Sequence, residues 1–188
     1  MKELGIYIHI PFCAKKCDYC DFVSYQNKED YIDKYINALK KEIESVGVAT
    51  HSYPGTCGQV PQQYIIKTIY IGGGTPSFIN ACYIQEVLQA VREKFNVAED
   101  AEITIEVNPG TVDKEKLDAY YKSGINRISI GLQSSNNNEL KLIGRIHSVE
   151  KFLEAYNLAL EAGFRQYKCG YDDRSAGADY RRCRRYSK

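Results

Sequence analysis

The chain has 188 residues, with 44% hydrophobic and 26% charged side chains and a formal net charge of +1, enough for one domain with a full core. That balance gives no electrostatic reason to expect nucleic acid or an anionic membrane as partner. No apolar run approaches the roughly 20 residues that cross a bilayer, and no basic segment leads into an apolar stretch as in a secretory signal. The seven cysteines are an odd number, which points away from a secreted disulfide framework and towards metal or redox use in the cytoplasm.

Leu4–Ile10 (LGIYIHI) is the first expected strand, rich in β-branched and aromatic residues. It runs into Cys13-Ala14-Lys15-Lys16-Cys17-Asp18-Tyr19-Cys20, a C-x3-C-x2-C spacing. Three thiolates on one short loop can converge on a soft metal centre. On a [4Fe–4S] cube they leave one iron without a protein ligand. Reductive cleavage of S-adenosylmethionine (SAM) needs such an iron: the amino and carboxylate groups chelate it, an electron enters the sulfonium, and a 5′-deoxyadenosyl radical leaves. The alternative at this point is a zinc site using the same cysteines with His9 or another ligand. Cys57, Cys82 and Cys183 stand apart and read as ordinary thiols.

A helix follows, with Ile32, Tyr35, Leu39, Ile43 and Val46 on one face. Gly47–Gln63 is polar and contains Gly and Pro, as expected of a surface insertion. A second strand, Ile65–Ile71, leads into Gly72-Gly73-Gly74-Thr75-Pro76, and a second helix carries Ile84, Val87, Leu88, Val91 and Phe95. A third strand, Glu102–Val107, enters Asn108-Pro109-Gly110. A short helix bearing Leu117, Tyr120 and Tyr121 stops at Gly124, and a fourth strand, Asn126–Ile130, enters Gly131-Leu132-Gln133-Ser134. The last helix starts after Ser148, carries Phe152, Leu153 and Tyr156, and ends at Gly163. The β-α alternation predicts an α/β fold with a parallel sheet, doubly wound or part of a barrel, and in both the ligands gather at the C-terminal strand ends.

Here a family resemblance becomes specific. The cysteine motif with an aromatic before its last cysteine, followed by GGGTP after the next strand, resembles the radical SAM superfamily. YIHIPFCAKKCDYCDF, TIYIGGGTPS, EITIEVNPGTVD, GINRISIGLQS and GRIHS resemble the branch holding oxygen-independent coproporphyrinogen III oxidase and the heme chaperone HemW. The resemblance covers roughly residues 4–165. It implies a partial (β/α)6 barrel with its first four βα units present. It implies a [4Fe–4S] cluster on Cys13, Cys17 and Cys20, and SAM held by Gly73, Gly74, Thr75, Glu106, Gln133, Arg145 and Tyr7.

Each of these residues also has an ordinary reading. The glycines can be a turn, Glu106 a solvated strand-end acid, Gln133 a turn-capping amide, Arg145 a surface charge and Tyr7 a core tyrosine. His147 shares the Arg145 motif without an assigned role, and no separate catalytic side chain is assigned. Phe22 stands where the oxidase branch has a further cysteine, which favours the chaperone type: a heme-binding and heme-transferring protein. The runner-up is the oxidase itself, decarboxylating coproporphyrinogen III to protoporphyrinogen IX, and a third reading is a zinc-binding interaction module. The implied partners are heme or a porphyrinogen and an electron donor such as flavodoxin or ferredoxin.

After Phe164 the resemblance stops. From Cys169 to Lys188 there are six basic and three acidic residues. Shifting the codons by one nucleotide lets Gln166–Asp179 read NINVDMMIALPGQT, the family's fifth strand and turn. The expectation is therefore a radical SAM core over 1–165 and an out-of-frame tail over 166–188. Such a chain would lack its fifth strand, expose strand four as a sheet edge and be inactive.

Overall fold

The computed structural model describes residues 2–49 and 64–171. Five strands form one parallel sheet in sequential order: β1 (Lys2–Ile10), β2 (Tyr64–Gly73), β3 (Val97–Val107), β4 (Arg127–Gln133) and β5 (Gln166–Tyr171). The crossovers are α1 (Ile32–Ala49), α2 (Ala81–Lys94), α3 (Lys114–Lys122) and the pair α4 (Asn137–Leu142) and α5 (Val149–Glu161). Neighbouring helices α1, α2, α3 and α5 pack in that order. A sheet wound in one direction by right-handed crossovers puts these four helices on the same face. This is the layout of a partial barrel, not of a doubly wound sheet.

The side-chain alternation explains why the other face can stay open. Ile8 and Ile10 of β1, Ile69 and Ile71 of β2, Ile103, Ile105 and Val107 of β3, and Ile128, Ile130 and Leu132 of β4 are buried. They join Ile84, Val87, Leu88, Val91, Leu117 and Phe152 of the helices in one core. Residues of the opposite parity are Tyr7 and His9, Tyr70 and Gly72, Glu106, and then Ser129, Gly131 and Gln133. Successive strand residues point to opposite faces, so one face is greasy and covered while the other is polar and lines the barrel interior.

The helix ends follow the sequence. Asp113 caps α3 by accepting from Lys116 N, and Ser148 caps α5 by accepting from Lys151 N. Gly124 and Gly163 sit at φ +84° and +109° after α3 and α5, a backbone that a residue with a Cβ rarely adopts. On α1 the buried residues are Ile36 and Ile43, whereas Val46 is exposed, so the apolar stripe turns away from the expected face before the helix ends. The six-residue α4 is too short to show a periodic pattern and is absent from the sequence expectation. The insertion over 47–63 lies outside the described residues except for the end of α1, as do Cys57 and Cys183.

The region after Arg165 corrects an expectation. Residues 166–171 form β5, paired with β4 from Arg127↔Gln166 to Gln133↔Tyr171, so β4 is not the sheet edge. Backbone pairing needs no particular side chain. Tyr167 and Cys169 pack against the core, with the Tyr167 ring edge-on to Tyr156 at 5.0 Å, while Lys168 falls on the open face. Residues 172–188 lie outside the described residues.

Candidate functional site

The strand ends meet the cysteine loop at a cavity of about 390 Å3. Its walls include Cys13, Cys17 and Cys20 from the loop, Gly73, Gly74 and Thr75 from the end of β2, Glu106 from β3, Gln133 from β4 and Arg145 beyond α4. Sequence reasoning had singled out all nine, and the fold brings them together. Tyr7 is the exception. It is 58% exposed, so it is not a core tyrosine, and it stands outside that wall. Its ring stacks on Tyr70 at 6.2 Å and its hydroxyl bonds His9 Nδ1 at 3.0 Å.

The cysteine loop is closed at its base by backbone pairing. Cys13 N donates to Tyr25 O at 2.9 Å and Tyr25 N to Pro11 O at 2.8 Å. The glycine run then carries β2 against this loop: Gly74 N donates to Ile10 O and Thr75 N to Phe12 O, at 2.9 and 2.8 Å. A Cβ on Gly74 would lie 2.9 Å from Phe12 O and 3.0 Å from Cys13 Sγ, and Gly73 has φ +121°. The glycines therefore serve close approach of two backbones at the cavity wall. Thr75 Oγ1 lies 3.4 Å from Cys13 Sγ.

Glu106 is fixed from two sides. Tyr70 Oη donates to Oε1 at 2.7 Å and Gly73 N to Oε2 at 3.3 Å. Burial and this carboxylate push the Tyr70 phenol up to about 12, so it stays a donor at any ordinary pH. Tyr70 was missed in the sequence. It sits two residues before Gly72, and strand alternation puts it on the same face as Gly72 and Glu106. Lys15, Tyr19, Asn108, Ser129 and Lys168 also reach the wall without having been singled out.

Arg145 is placed by a loop that follows α4. Its Nη2 donates to Gly131 O at 3.0 Å, and its Nη1 faces Cys17 Sγ at 3.6 Å and Tyr19 Oη at 3.5 Å. Its Nε is buried with no hydrogen-bond partner among the described residues. Lys15, Arg145 and Lys168 set three cations against the single carboxylate of Glu106 on the wall, a balance that suits thiolates and anionic ligand groups.

Cys13, Cys17 and Cys20 reach one wall of the cavity from a single loop. His9, the suggested zinc ligand, has both ring nitrogens engaged, Nδ1 with Tyr7 Oη and Nε2 with Val23 O at 2.8 Å. The donor set fits a larger inorganic group whose thiolates attach to different metal atoms. No helix among the described residues is long and apolar enough to cross a membrane.

A one-way parallel sheet with a cysteine loop, glycine run, carboxylate, amide and guanidinium at its strand ends defines a class, and residues 7–171 match the radical SAM superfamily. The chain belongs to that superfamily, whose members hold a [4Fe–4S] cluster and SAM. Within it, the chain is 40% identical over 172 residues to the heme chaperone HemW of Escherichia coli, covering 89% of this chain and 42% of that protein. It is 37% identical to HemW of Haemophilus influenzae over the same shares of the two chains. The solved coproporphyrinogen III oxidase HemN of Escherichia coli superposes with a TM-score of 0.78 at 30% identity, covering 90% of this chain and 37% of that one. The chain thus spans less than half the length of these relatives.

Proposed function

We propose that the chain is the cofactor-binding part of a HemW-type heme chaperone. Cys13, Cys17 and Cys20 hold a [4Fe–4S] cluster, and SAM lies along the strand ends. The observation that carries this is the convergence of three thiols, the Gly73–Thr75 backbone, Glu106, Gln133 and Arg145 on one cavity. When bound, the cluster supplies an electron and an open iron to SAM.

The side chains divide the binding task by charge. Glu106, anchored by Tyr70 and Gly73, offers a carboxylate to the methionyl ammonium or ribose hydroxyls. Arg145 offers a planar cation to the methionyl carboxylate, and the Gln133 amide bonds the ribose. Tyr7, stacked on Tyr70, stands beside this wall as an aromatic near the cofactor.

Heme is the proposed cargo, flavodoxin or ferredoxin the electron donor, and the cytoplasm the setting. The likeness to HemW and Phe22 in place of a further cysteine support the chaperone. The superposition on HemN favours coproporphyrinogen oxidation as the second reading.

Anaerobic reconstitution of the chain with iron and sulfide tests the core of the proposal. It should give a brown protein with a cluster EPR signal on reduction, lost in Cys13→Ser, Cys17→Ser and Cys20→Ser. Uptake of zinc in preference to iron and sulfide, with no SAM binding, would overturn it. Heme titration against coproporphyrinogen turnover separates the two readings.

Residues 166–188 are proposed to be read out of frame. The shifted frame places Ile or Thr at 167 and Val or Ala at 169, side chains that suit the core-facing positions Tyr167 and Cys169 occupy.

A further inference from the structure

We infer that His147 is a positioning residue: with Arg145 it clamps two carbonyls at the end of β4 and so holds Gln133 in the left-handed backbone that turns its amide into the cavity. The inference rests on the reading of that cavity as the SAM site.

Gln133 has φ +68°, one of two non-glycine residues with positive φ among those described. Such a backbone is strained for a residue with a Cβ and persists where the surroundings over-determine it. Here they do. The pairing of β4 with β5 shifts register between Gly131 and Gln133. Arg145 Nη2 donates to Gly131 O at 3.0 Å. His147 Nε2 lies 3.2 Å from Leu132 O, and Ser134 N donates to the same oxygen at 2.9 Å. Three donors thus hold the two peptide oxygens immediately before Gln133.

The chemistry of His147 suits a fixed donor. The residue is buried, and burial with the nearby Arg145 cation drops its imidazolium to about 4. It is neutral at physiological pH, and since a carbonyl only accepts, the proton sits on Nε2. Nδ1 has no partner among the described residues, so one bond fixes the ring. The result appears in the cavity: a Cβ placed on Gly131 would lie 3.1 Å from both Arg145 Nη2 and Gln133 Nε2. The Gln133 amide therefore folds over Gly131 beside the guanidinium, where the two present polar groups to one ligand. The spacing of Arg145 and His147 in GRIHS lets one short segment supply both clamps.

The test uses the reconstituted 188-residue chain and SAM, by anaerobic equilibrium dialysis. His147→Phe should weaken SAM binding about tenfold with iron content unchanged, and His147→Gln, which keeps an amide donor, should recover most of the loss. In a Gln133→Ala background His147→Phe should add nothing, because the two act through one contact. An additive loss, or no loss in either background, overturns the inference. A cofactor-free measurement separates this from the cavity assignment: amide hydrogen exchange at Gln133 and Ser134 should quicken in His147→Phe, and wild-type rates there overturn the clamp. If wild-type protein fails to bind SAM the cavity assignment falls, and the exchange measurement still decides the clamp. Should His147→Phe not fold, His147→Asn, polar but too short to reach Leu132, carries the same predictions.

Discussion

Gly74 shows how much of the site depends on a missing side chain. A methyl there would stand 2.9 Å from a carbonyl of the cysteine loop and 3.0 Å from Cys13 Sγ. Neither neighbour can yield without moving the loop. Gly74→Ala should therefore fold with its core intact yet take up far less iron and sulfide than wild type, as read by metal analysis beside a thermal melt. His147 gives a pH signature of its own. Its folded-state value, about 4, lies below the ordinary 6.5, so between these values the unfolded chain binds a proton that the folded chain refuses. Its contribution to stability is complete above about pH 6.5 and is lost as pH falls towards 4. The melting temperature of wild type should fall more steeply over that window than that of His147→Asn, which has no such group.

At the level of elements, α1 offers a clean contrast. Ile43 is 9% exposed and Val46 47%, although both fit one helical stripe. Three residues advance a helix by about 300°, which leaves a 60° offset, and near the end of α1 that offset carries Val46 off the core. Ile43→Ala should cost about 2–4 kcal/mol and Val46→Ala less than about 0.5 kcal/mol in chemical denaturation. Equal losses would show that the C-terminal turns of α1 pack differently. The strands were more legible than the helices, since β-branched runs bounded by Gly, Pro and Cys mark them directly. The start of β3 was not: the expected strand began at Glu102, because Glu99 and Asp100 interrupt the apolar run over Val97–Ala101. The structure uses Asp100 to pair Lys67 of β2 at 2.9 Å, a contact no local pattern announces.

The whole molecule is a sheet dressed on one side. Helices α1, α2, α3 and α5 lie over the apolar face, and the polar face carries the candidate site. The chain adds a fifth strand after Arg165, and the superfamily match runs through it to residue 171, beyond the expected limit of the resemblance near 165. Backbone pairing and two core-facing residues, Tyr167 and Cys169, suffice for that. The proposed frame change is decided at the level of nucleotides: DNA across the Arg165 codon should show a one-base difference from a frame that restores the strand and turn. An undisturbed frame in related strains would make residues 166–188 genuine.

The amino-acid sequence alone determined the α/β alternation, the strand-end location of the site and the identity of the three thiols, because strand periodicity, glycine runs and cysteine spacing are local signals. It also supplied Glu106, Gln133 and Arg145, through the family resemblance of the motifs that carry them. Only the tertiary structure decided that Tyr70 anchors Glu106, that Tyr7 is exposed, and that His147 and Arg145 grip the end of β4. Those facts join residues 14 to 36 positions apart, or depend on which side of a strand meets solvent. Packing of the whole sheet settles such contacts, and no local run of residues encodes them.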